Sequence, residues 1–117
     1  MLNLSGKRVY LACGRTDMRK NINGLAAIVE GSFNLDPFGS AVFVFCNRNR
    51  DRIKILEWDG NGFWLYFKRL EKGRFKWPAP GADATMMLTG EELSLLLGGT
   101  QVELKLKRDE VFARKIS

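Results

Sequence analysis

The stretch AVFVFCNRNRDRIKILEWDGNGFWLYFKRLEKGRFKWP, residues 41–78, sets the fold class and the charge of the chain together. Its opening, AVFVFC (41–46), is apolar on both faces and reads as a central strand. RIKILEW (52–58) alternates through Arg52, Ile53, Lys54 and Ile55, and the break at Leu56 suggests a bulge. Asp59-Gly60-Asn61-Gly62 is a hairpin turn, because Gly and Asn accept the positive φ that a tight turn needs. GFWLYFK (62–68) then puts Phe63, Leu65 and Phe67 on one face and Trp64, Tyr66 and Lys68 on the other. A turn at Glu71-Lys72-Gly73 leads into RFKWP, a further strand with Phe75 and Trp77 inward and Arg74 and Lys76 outward.

The same stretch is strongly basic. Between Asn47 and Trp77 stand nine cations, Arg48, Arg50, Arg52, Lys54, Lys68, Arg69, Lys72, Arg74 and Lys76, against four acids, Asp51, Glu57, Asp59 and Glu71. That excess supplies almost all of the formal +6 of the 117-residue chain. Arg48, Arg50, Arg52 and Lys54 recur every second residue, so an extended segment would present all four on one face. A cationic ribbon with rings among the charges suits a polyanion carrying flat bases, which makes nucleic acid the first candidate partner. The plainer reading is a strand exterior made basic for solubility and edge protection. Trp64 and Tyr66 could stack on unpaired bases or meet a protein partner, and they could equally lie beneath a helix as core.

Outward from this ribbon, Lys7 to Ala12 (KRVYLA) reads as a short strand stopped by Cys13-Gly14. Thr16 is placed as a helix N-cap with Asp17 in the first turn, and Met18, Ile22, Leu25 and Val29 then fall on one helical face until about Gly31. Arg15, Arg19 and Lys20 form a second basic cluster at that helix start, where free amides and cations together favour phosphate. Solvation alone would also explain them. Asn34 to Gly39 is a turn-rich loop, and residues 79–87 read as another loop. Thr89-Gly90-Glu91-Glu92 is a capping box for a short helix through Leu93, Leu95, Leu96 and Leu97, ended by Gly98-Gly99. QVELKLK (101–107) alternates as an edge strand would, and residues 108–117 read as a loosely held tail. The sum is one α+β domain over residues 1–117: a mainly antiparallel sheet of five to six strands with two helices.

Chemistry is harder to build. The chain has no histidine and two distant cysteines, Cys13 and Cys46, so the commonest triads and transition-metal sites lack their parts. The cysteines read as buried thiols in a reducing cytoplasm. Asp17, Asp36, Asp59 and Glu91 could in principle hold Mg²⁺, but each fits a helix start or a turn instead. No apolar run approaches the roughly 20 residues of a membrane-spanning helix. The expectation is a cytoplasmic, non-catalytic protein without metal or cofactor.

Specific segments carry a resemblance. VYLACGRTDMRKNINGLAAIV, LDPFGSAVFVFCNRNRDRIKILEWDGNGFWLYFKRLEKGRFKWP and LTGEELSLLL follow one another from Val9 to about Gly99. They resemble the TnpB accessory proteins of the insertion sequence sixty-six family of bacterial transposable elements. In that family's pattern Gly and Asp are usual where Asn21 and Asn23 stand, and Arg is common where Cys46 and Asn49 stand, so the ribbon here is less basic. The resemblance implies an accessory role in DNA transposition beside a separate Asp-Asp-Glu transposase, with no catalytic residues of its own. The expected partners are therefore DNA, as the ends of the element, and the transposase of the same element. An adaptor that binds the transposase and barely touches DNA is the alternative.

Overall fold

In the computed structural model, which describes residues 2 and 4–98, five strands and two helices follow in the order β1 (Arg8–Ala12), α1 (Ile22–Gly31), β2 (Val42–Cys46), β3 (Arg52–Trp58), β4 (Phe63–Arg69), β5 (Thr85–Thr89) and α2 (Gly90–Leu97). They build one sheet of order β4-β3-β2-β1-β5. The α+β reading holds, and three of the four pairings are antiparallel. The fourth, β1 with β2, is parallel, with α1 as the crossover between them.

β2 is buried at every residue and occupies the middle of the sheet, as its unbroken apolar run requires. The sheet separates two apolar layers. Leu25 and Val29 of α1 pack on Phe43, Phe45 and Leu56. On the other face Leu93 and Leu96 of α2, with Phe75, cover Val9, Val44, Ile53 and Ile55. α2 starts on the Thr89–Glu92 capping box, complete in both directions. Gly90 is needed there because a Cβ would come within 2.0 Å of the Leu4 carbonyl oxygen.

Four local expectations change. β3 keeps its register from Arg52 to Trp58 against both neighbours, so Leu56 marks no bulge. The alternation fades there because Leu56 meets the α1 layer while Ile53 and Ile55 meet the α2 layer. Residues 74–77 form no strand, although Phe75 is buried and Arg74 and Lys76 are exposed. The fifth strand is instead TMMLT, in the region read as a loop, and it pairs with β1 along its whole length. Finally, α1 starts at Ile22, with Asn21 as N-cap. Asp17 closes a turn of its own by accepting from the Arg19 amide and guanidinium. Cys46 is buried, and burial pushes its thiol up to about 12. Cys13 is half-buried just past β1, and neither cysteine is in a disulfide. The edge strand read at 101–107 and the tail at 108–117 lie outside the described residues.

Two buried charges sit on β3, facing opposite layers. Lys54 is 8% exposed, and its Nζ donates to the carbonyls of Met18 and Lys20 at 2.8 Å each and to Asn21 Oδ1 at 3.1 Å. This ammonium ties the segment before α1 to the sheet. Those carbonyls face a cation, which explains why the helix starts only after them. Glu57, on the other face, receives Lys7 Nζ at 2.8 Å and the Tyr66 hydroxyl at 3.0 Å. Burial and the Glu57 hydrogen bond push the Tyr66 phenol up to about 12.

Lys54→Met should lower stability by about 1.5–3 kcal/mol, since it strips charged hydrogen bonds from two backbone carbonyls. The measurement is the urea midpoint at unchanged slope. Ultraviolet titration should show one tyrosine ionising near pH 12, with Glu57→Gln bringing it part of the way back. Because the folded value is raised above the ordinary 10, this stabilisation is complete below pH 10 and lost as pH climbs through 12.

Candidate nucleic-acid interface

The pairing register determines where the cations gather. β1 and β2 run the same way, so Ala12 and Cys46 end at one edge of the fold. Cys46 pairs with Ile53, Arg52 with Arg69, and Ala12 with Thr85, so β3 and β5 begin there and β4 ends there. The Asn47–Asp51 turn, the 70–76 loop and the Arg15–Lys20 segment all join the sheet at this end, where the Thr16 amide donates to the Cys46 carbonyl. Strands of five to seven residues hold the opposite end about 20 Å away. That end carries Asp36, Asp59, Glu91 and Glu92 in its loops and helix start. Among the described residues its strand and loop cations are Lys7, held by Glu57, and Arg8.

The Asn47 side chain organises the basic turn. Its Oδ1 accepts from the amides of Asp51 and Arg52 at 3.0 Å each, and its Nδ2 donates to Asp51 Oδ1 at 2.7 Å. That amide bond, reinforced by the charges of Arg52 and Arg74, holds the Asp51 carboxyl below the usual range. Arg50 sits at a left-handed φ of 61°, a conformation costing of order 1 kcal/mol for a non-glycine residue. Its carbonyl accepts from the Phe75 amide at 2.7 Å, and the Asp51 carbonyl accepts from the Leu70 amide at 2.8 Å. The 70–76 loop is therefore fastened onto the turn, with Phe75 buried as its plug. Between them lies an open cleft of about 630 Å³ lined by Arg50, Asp51, Gly73, Arg74, Phe75 and Lys76.

The sequence candidates divide accordingly. Arg15, Lys20, Arg48, Arg50, Lys72, Arg74 and Lys76 are exposed and enter no ion pair among the described residues. Arg52, Arg69 and Arg19 are paired with Asp51, Glu71 and Asp17 on the surface, where such pairs are worth little. Lys68 donates to the Leu97 carbonyl and completes the C-terminus of α2. Lys54 is inside the fold, so the every-second-residue ribbon does not exist as one face: a tight turn interrupts it after Cys46. Arg15, Arg19 and Lys20 precede α1 rather than cap it.

The rings divide too. Trp64 is 48% exposed, stacks on Tyr66 at 6.0 Å and donates its indole N–H to Asp59 at 2.6 Å. Both rings thus engage carboxylates, Tyr66 through Glu57. Phe67, on the strand face opposite Trp64 and Tyr66, is 56% exposed. Phe63 and Leu65 pack against the α1 layer, whereas the last three residues of β4 are exposed. Among the described residues, no three or more His, Cys, Asp or Glu side chains converge to hold a metal ion, and no helix is long and apolar enough to cross a membrane.

Comparison with known proteins converges on one family. Residues 7–107 match the family described as IS66 Orf2 like protein. The uncharacterized protein y4jC of Sinorhizobium fredii (strain NBRC 101917 / NGR234) is 38% identical over 94 residues, covering 80% of each chain. The uncharacterized protein y4hO of the same strain is 39% identical over 92 residues, 79% of each. No solved structure matches. The chain belongs to the IS66 Orf2-like family, which gives it an accessory role associated with transposition.

Proposed function

We propose that this protein is a non-catalytic DNA-binding factor that helps a separate Asp-Asp-Glu transposase of the same element engage the element ends. The observation that carries the reading is that Arg50, Arg74 and Lys76 line one cleft, with Arg48 and Lys72 in the two loops that form it, all five exposed and in no ion pair among the described residues. Backbone bonds from Phe75 and Leu70 hold the two loops together, so little ordering is required when a polyanion binds. Neutralising phosphates there releases counterions, the source of most sequence-independent affinity for DNA.

A second reading keeps the transposase and drops the DNA. β4 lies at the sheet edge with Trp64 half exposed, and aromatic residues on an open edge favour a protein contact. Co-purification with the transposase that is lost on Trp64→Ala, yet survives Arg50→Ala/Arg74→Ala, would favour this adaptor.

With about five phosphates engaged, log K for duplex DNA should fall against log salt with a slope of about −4 to −5. Arg50→Ala and Arg74→Ala should each flatten the slope by about 1. A flat response, or no binding at low salt, removes the DNA-binding reading.

A further inference from the structure

Three aromatic rings of the described residues are about half exposed, and two of them are already engaged. Phe38 packs edge-on against Trp58 at 5.0 Å and against Phe63 at 5.3 Å. Trp64 stacks on Tyr66 and bonds Asp59, toward the acidic end. Phe67, the most exposed of the three at 56%, pairs with no other ring among the described residues. Apolar ring surface left in water is unfavourable, so its position needs an account.

Its neighbours supply one. Phe67 stands opposite Lys54, and Arg69, two residues on, stands opposite Arg52. Strand alternation puts Phe67 and Arg69 on the same face of β4, about 7 Å apart along the strand. Among the described residues no strand lies beyond β4 in the sheet, so Phe67, 56% exposed, stands on an edge strand. Arg52 and Arg69 keep 39% and 53% of their side chains exposed despite their surface ion pairs, which a phosphate can displace. An aromatic face beside two guanidinium groups is the combination that grips a nucleotide: the ring takes the base and the cations take the flanking phosphates.

We infer that the cationic end accepts DNA with unpaired bases, with Phe67 stacking on an exposed base while Arg69 and Arg52 hold the adjoining backbone. This rests on the DNA-binding reading above and narrows it. Bases inside an intact duplex stack on one another and reach a side chain only after costly unstacking. Phosphate contacts alone would favour the duplex, whose higher charge density releases more counterions per contact.

Fluorescence anisotropy should compare a single strand, an intact duplex and a gapped duplex of equal length at one salt concentration. The single-stranded and gapped DNA should bind about tenfold tighter than the duplex. Phe67→Ala should lose about tenfold on those two DNAs, in line with one stacked base. It should leave duplex affinity and its salt slope unchanged, and Phe67→Trp should retain the preference. Equal affinities for all three, or an equal loss on all three with Phe67→Ala, overturn the inference and leave DNA binding standing. No binding to any of them overturns both.

Discussion

The parallel pairing of β1 with β2 is the constraint from which the rest follows. Two parallel strands cannot be joined by a tight turn, so the chain must cross over the sheet and return through α1. Both strands then end at the same place, where the β2–β3 turn and the loop that leaves β4 bring their cations. The buried Lys54 ammonium secures the crossover by holding three acceptors of residues 18–21 against β3. A cation that looks like surface in the sequence thus fixes the frame on which the surface cations are displayed.

Most of the fold was readable where local chemistry decides it. AVFVFC announced a central strand, Asp59-Gly60-Asn61-Gly62 a hairpin, and Thr89 with Glu92 a helix start, and each rule acts over four to six residues. The reading failed where distant partners decide. TMMLT is short, lies among Pro and Gly, and becomes a strand because β1 offers it an edge. Thr16 and Asp17 look like a helix cap, but Asp17 is taken by Arg19 and the next carbonyls by Lys54. Nothing within that segment names either competitor.

The candidate interface shows the same division. Basic spacing of two residues implied an extended ribbon, yet Asn47 folds the chain into a turn between Cys46 and Arg52. The cations still meet, for a reason the sequence does not contain: sheet order gathers the ends of separate strands. Trp64 and Tyr66 drew attention as rings among charges, but their nearest polar partners are Asp59 and Glu57. Phe67 shares its strand face with Phe63 and Leu65, and alternation alone does not separate it from them. Phe63 and Leu65 pack against the α1 layer, whereas Phe67 falls among the exposed last three residues of β4.

The central claim is that polyanion contact is confined to one end of the sheet. Mapping backbone amide chemical shifts while DNA is added tests it most directly. The account predicts the largest changes at Arg48–Arg52 and Arg69–Lys76, with Gly60–Gly62 at the opposite end unmoved. Changes centred on Asp59–Phe63 and the start of α2, or none anywhere at low salt, would contradict it.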